Sequence, residues 1–181
     1  MYDFVFSENS LFIDEGRNLL ITEFGKNYGT YFSILSEIAN GHYTQGEIES
    51  ALGGTAIGGY LSKLENVYNL ITRERPIFAK PGTKKNVRYV IGDNFLNFWF
   101  KYIEQNRSYI ELQNFDDLRQ LAKADYPTYS GRVLEKYFKQ KLAETGGFKE
   151  IGSWWETKSS IGKQRINSYE IDIVALKSSG K

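Results

Sequence analysis

The chain has 181 residues, with 23 Lys plus Arg against 22 Asp plus Glu, a formal net charge of +1, one His and no Cys. Without cysteine there is no disulfide framework, no thiolate-held zinc, no thiol nucleophile and no iron–sulfur cluster, and the lone His42 excludes any site needing two imidazoles. No run approaches the roughly 18 apolar residues of a membrane span, and no basic-then-apolar leader opens the chain, so a soluble cytoplasmic protein with no membrane partner is expected.

Residues 1–24 read as a flanking segment, irregular or short-helical, with Leu19, Leu20, Ile21 and Phe24 to bury. From Tyr28 to Asn40 the residues Tyr31, Ile34, Leu35 and Ile38 recur at helical spacing, and Gly41 is placed to end that helix. Thr44 with Glu47 fits a capping box opening a short helix to Leu52, which Gly53-Gly54 breaks. Thr55 is then expected to cap a third helix, with Ile57, Tyr60, Leu61, Leu64, Val67, Tyr68 and Ile71 as one apolar stripe. Two extended runs follow, Leu70 to Phe78 and Val87 to Ile91, joined through Pro81-Gly82 and a basic tip. Three helices and a hairpin in that order describe a winged helix-turn-helix over residues 25–92, with the third helix as reading element and the hairpin as wing.

Residues 93–129 form an aromatic helix and helical linker. Asp93 caps the run Phe95-Leu96-Asn97-Phe98-Trp99-Phe100-Lys101-Tyr102-Ile103, whose rings suit a core, or a docking surface through which copies of the chain self-associate. The neighbourhood of Pro127 reads as a boundary. Past it, residues 130–181 begin with a helix expected to turn Val133, Leu134, Tyr137, Phe138 and Leu142 inward and Glu135, Lys136, Lys139 and Lys141 outward. Gly146-Gly147 ends that helix, and two strands close the chain, Phe148 to Trp155 and Ser168 to Leu176.

Charge is unevenly spread. Residues 1–70 carry three basic and nine acidic residues, whereas residues 71–90 carry Arg73, Arg75, Lys80, Lys84, Lys85 and Arg88 against Glu74 alone. Lys80, Lys84, Lys85 and Arg88 on the wing, with Lys63 on the third helix, are the candidate contacts to DNA phosphates, giving sequence-independent, salt-sensitive binding. The same lysines also suit a solvated hairpin edge kept from pairing. In the last strand, Glu170 and Asp172 stand two residues apart and hence on one face, an arrangement that suits a hard divalent cation such as Mg²⁺, with Glu135 as a third carboxylate. Alternating polar and apolar residues equally describe an ordinary half-buried strand.

The run Tyr89-Val90-Ile91-Gly92-Asp93-Asn94-Phe95-Leu96-Asn97-Phe98-Trp99-Phe100 resembles a segment of archaeal-type AAA ATPases, in which a winged helix follows the nucleotide-binding domain. The helix from Tyr31 to Gly41, Tyr60-Leu61-Ser62-Lys63-Leu64 and Arg73-Glu74-Arg75-Pro76-Ile77 are similar too. Downstream, Gly131-Arg132-Val133-Leu134-Glu135, Ile151-Gly152-Ser153-Trp154-Trp155 and Glu170-Ile171-Asp172-Ile173-Val174-Ala175 resemble the C-terminal domain of unknown function in the same ATPases, usually regarded as a divergent PD-(D/E)xK nuclease fold.

The resemblance implies an α+β chain, a winged helix followed by a helical linker and an incomplete restriction-endonuclease-like unit. It matches Glu135 to the helical acid and Asp172 to the metal-binding acid of that fold, with Glu170 assisting. The second strand acid and its lysine have no counterpart, and Lys177 lies on the wrong strand to replace that lysine. No G-x-x-x-x-G-K-[ST] occurs, so ATP is expected only in a preceding ATPase domain, the partner this chain lacks. The expected role is an accessory region of such an ATPase, contacting DNA through its wing and unable to cleave it. A lid or docking module that binds no nucleic acid is the alternative.

Overall fold

Apolar residues at three- and four-residue spacing wind most of the first 66 residues into helices in the computed structural model, which describes residues 2–80, 86–156, 160–161, 164–165 and 169–178. The chain is α+β and divides into two compact units, Met1–Arg73 with Tyr89–Pro127, and Glu74–Arg88 with Thr128–Lys181.

In the first unit, α1 (Tyr2–Val5) precedes α2 (Phe12–Phe24), which buries Ile13, Gly16, Leu20 and Phe24 on one stripe. A 3-10 turn over Gly25–Asn27 leads into α3 (Tyr28–Asn40), where Tyr31, Phe32, Ile34, Leu35, Ile38 and Ala39 are buried. Gly41, at φ 101°, ends α3 in the left-handed region that a Cβ disfavours. α4 (Gln45–Ala51) opens with the expected box: the Glu47 N–H donates to Thr44 Oγ1 at 3.3 Å and the Thr44 N–H to Glu47 Oε2 at 3.1 Å.

The third helix departs from expectation at both ends. α5 spans Gly58–Asn66, with Ile57 at its N-cap, while the Thr55 hydroxyl donates to the Leu52 carbonyl at 3.1 Å instead of capping the helix. The Ile57 N–H goes to the Glu49 carboxylate at 3.2 Å, so an acid from α4 supplies a bond at the entry to α5. At the other end Asn69 takes φ 53°, which breaks the helix before Ile71 and frees that residue to open β1 (Ile71–Glu74). β1 pairs with β2 (Arg88–Ile91). The turn expected at Pro81-Gly82, with Lys84 and Lys85, lies outside the described residues.

Asp93 caps α6 (Asn94–Tyr102) through a 2.8 Å bond from the Leu96 N–H, as its position predicts. The rings of α6 form core: Trp99, Phe100 and Tyr102 are buried, and Phe32 of α3 meets Trp99 and Phe100 edge-on at 5.9 and 5.3 Å between centroids. Each such ring contributes roughly 1.5–3 kcal/mol by leaving water. Trp99 also satisfies its indole N–H on the Ile13 carbonyl at 3.0 Å, fixing α6 against α2.

After α7 (Arg107–Glu111) comes α8 (Phe115–Thr145), 31 residues long. Pro127, read as a boundary, stands where the first unit ends, yet the helix continues through it. Proline removes one backbone donor, and here Leu118 and Ala122 before it and Tyr129 after it are all buried along the helix.

In the second unit, Gly146 and Gly147, at φ 71° and 79°, end α8 before β3 (Phe148–Trp155). The short strands β4 (Ser160–Ile161) and β5 (Gln164–Arg165) pair with each other, and β6 (Glu170–Lys177) pairs antiparallel with β3. Trp155 stands opposite Glu170, Trp154 opposite Ile171 and Gly152 opposite Val174, so Asp172 and Ile173 together face Ser153, a bulge that bends the strand. The Ile77 N–H donates to the Ser153 carbonyl at 2.7 Å, adding a contact along β3.

The face that α8 buries in this unit differs in part from expectation. Leu134, Tyr137 and Phe138 are half exposed, whereas Glu135 and Lys139 are part-buried along with Val133 and Leu142. The polar group that Glu135 and Lys139 form with Ser153, described next, draws both inward.

Candidate functional site

The charged residues of the second unit gather into two arrangements. In the first, Glu135 and Lys139 lie one turn apart on α8 and form an ion pair. Ser153, buried on β3, completes it: its hydroxyl donates to Glu135 Oε1 at 3.0 Å and accepts from Lys139 Nζ. The buried Ser153 hydroxyl thereby both donates and accepts, as burial requires.

In the second arrangement, the Arg88 guanidinium forks onto both oxygens of Glu170, one contact at 3.1 Å, and lies 4.2 Å from the centroid of the Trp155 ring. Cross-strand pairing puts Trp155 directly opposite Glu170, so the strand register itself creates the slot that Arg88 fills. Asp172 is exposed and makes no hydrogen bond or ion pair among the described residues.

Glu135, Glu170 and Asp172 were expected to share a cation. Among the described residues no three His, Asp or Glu side chains come together in a metal-holding group, this trio included. Two of its three carboxylates already have cations of the chain's own, Lys139 for Glu135 and Arg88 for Glu170.

Of the expected phosphate contacts, Lys63 is exposed on α5 beside Gly58, Gly59, Ser62 and Asn66, and Lys80 is exposed beyond β1. Arg88 is committed to Glu170 and Trp155. Lys84 and Lys85 fall outside the described residues. Sequence reasoning missed Ser153 and Lys139 as members of the carboxylate group. The signal was present as a Glu and a Lys at i and i+4, passed over because both were assigned to the outer face.

Residues 99–181 match DUF234, a family described as archaea bacterial proteins of unknown function. That stretch holds Glu135, Lys139, Ser153, Glu170 and Asp172. Over 161 residues the chain is also 38% identical to an uncharacterized protein of Methanocaldococcus jannaschii, MJECL04, an alignment covering 84% of this chain and 34% of the relative. The chain thus spans about a third of the length of that relative. No solved structure matches it. Among the described residues no helix is long and apolar enough to cross a membrane.

Proposed function

We propose that this chain is an accessory region of an archaeal-type AAA ATPase, with a winged helix that touches DNA non-specifically through its basic hairpin and a nuclease-like unit that does not cleave. The observation that carries this reading is the capture of Glu135 and Glu170 by Lys139 and Arg88. A hydrolytic site for phosphodiesters needs carboxylates that hold a metal near the attacking water, and two carboxylates bound to fixed cations do not supply it. The order of α3, α4, α5, β1 and β2 supports the winged-helix reading, and the greater length of the archaeal relative supports an accessory role.

Fluorescence anisotropy on a labelled duplex at about 50 and 200 mM salt tests the DNA contact. Binding is expected to weaken steeply with salt and to fall in Lys84→Ala/Lys85→Ala; affinity indifferent to both refutes it. A nicking assay in Mg²⁺ tests the second half. No cleavage is expected, and nicking that disappears in Asp172→Ala overturns the inactive reading.

A docking module that binds no nucleic acid is the second reading, and one observation favours it. Leu134, Tyr137 and Phe138 leave an apolar patch on α8 half exposed, which is costly to leave in water. The Phe95–Tyr102 rings, the other candidate for docking, are largely enclosed in their own unit.

A further inference from the structure

The first unit contains a cleft that neither reading above uses. Its volume is about 430 Å³, within the size range of small-molecule sites, and Arg17 and Tyr28 line it. Arg73, Arg88, Arg107 and Arg119 each hold a carboxylate. Arg17 differs from them. Its Nε is buried without a hydrogen-bond partner, its guanidinium makes no ion pair among the described residues, and its Cζ lies 6.0 Å from the centroid of the Tyr28 ring. A guanidinium keeps its charge at any physiological pH and carries five donors, so one lining a cleft with no carboxylate paired to it is a half-made recognition site.

The rest of the lining adds a hydroxyl and two carboxylates that are bonded elsewhere. The Ser36 hydroxyl makes no hydrogen bond among the described residues, while the Ser36 carbonyl is held by Gln105 Nε2 at 2.6 Å, which fixes that turn of α3. The two carboxylates at the cleft are drawn into pairs of their own: Glu37 bonds His42 Nδ1 at 2.6 Å, and Glu104 bonds Arg107 Nη1 at 3.3 Å. Neither reaches Arg17.

We propose that this cleft binds a small ligand through an oxyanion, a phosphate or a carboxylate, gripped by Arg17. The Ser36 hydroxyl adds a second donor and the Tyr28 ring forms a wall against which the body of the ligand packs. The proposal is independent of the DNA reading, since Arg17 and the basic hairpin belong to different units.

The test is calorimetric titration of inorganic phosphate and, separately, of acetate into the full chain and three variants. Arg17→Gln removes the charge. Gly29→Trp fills the cleft from a lining position at which an added Cβ meets nothing within 4 Å, so it blocks entry without invading the core. Lys84→Ala/Lys85→Ala reports on the hairpin. At least one probe is expected to bind the unaltered chain, about tenfold or more weakly in each cleft variant, and equally well in the hairpin variant. Which probe binds tells a phosphate head from a carboxylate head. Failure of both probes to bind, binding that survives either cleft variant, or loss confined to the hairpin variant would overturn the proposal.

Discussion

Arg88 grips both carboxylate oxygens of Glu170 while its guanidinium sits over the ring of Trp155, the residue opposite Glu170 in the sheet. The fork and the stack use two different properties of guanidinium, its paired donors and its weakly hydrated face. With the Glu170 side chain 43% exposed, solvent screens the pair. An Arg88→Ala/Glu170→Ala double-mutant cycle by urea unfolding is expected to give a coupling of about 0.5–1 kcal/mol, shrinking at about 1 M salt. Arg88→Lys should lose most of it, since an ammonium neither forks nor stacks as well. A coupling of zero at low salt would refute the pairing.

Lys139 carries more weight because its partners are more enclosed. Its removal leaves the Glu135 carboxylate and the buried Ser153 hydroxyl without their cation. Lys139→Met, which keeps most of the aliphatic stem, is expected to destabilise by about 1–3 kcal/mol in chemical unfolding. Adding Glu135→Gln to Lys139→Met should recover part of that loss, because a neutral amide no longer needs a counter-charge. If the double variant is as unstable as the sum of the two singles, the trio is not a coupled unit.

The elements most legible in the sequence are those fixed by short-range chemistry. Thr44 with Glu47 announces α4, Asp93 announces α6, and Gly41 and Gly146-Gly147 mark two helix ends, because each acts through backbone groups within a few residues. What failed depended on distant partners. The bond at the entry to α5 comes from Glu49, eight residues upstream of Ile57, so Thr55 attracted the assignment by type alone. Periodicity correctly placed a helix around residues 130–145 but chose its inner face by counting apolar residues. Ser153, eighteen residues beyond Glu135, draws Glu135 and Lys139 inward by offering a polar partner no local pattern reveals. The candidate carboxylates were visible as residues, and the cation that neutralises Glu170 was not, because Arg88 lies 82 positions from it.

Gly16 is a position where a single methyl group decides the packing. A Cβ built there falls 2.3 Å from Trp99 Cδ2, on the face of a ring that is fully buried. Trp99 cannot yield easily, since its indole N–H is tied to Ile13 on the same helix as Gly16. Gly16→Ala is therefore expected to cost about 1–3 kcal/mol through overpacking, against the ordinary benefit of alanine in a helix. A lowered melting temperature with an altered near-ultraviolet tryptophan signal would show it. Gly29→Ala, at a helical position open within 4 Å, is the control and should be neutral or slightly stabilising. Equal behaviour of the two variants would sink the argument.

Glu49 gives the fold a pH dependence whose sign follows from its bonds. Gln45 Nε2 donates to its carboxylate at 2.8 Å and the Ile57 N–H at 3.2 Å, and these bonds, Gln45 foremost, hold it below the usual glutamate range. A carboxyl whose value is lowered on folding binds its proton less readily folded than unfolded. Its contribution is thus present above the ordinary glutamate range, near about 4.3, and is lost as pH falls through the lowered value. Glu49→Gln is expected to melt earlier than the unaltered chain near neutral pH, with the gap closing in acid. Because the Ile57 N–H stands at the entry to α5, the same variant should speed amide exchange in the first turn of α5 at neutral pH. Melting curves that stay the same distance apart from neutral to acid pH would show that the carboxylate charge does not hold this turn.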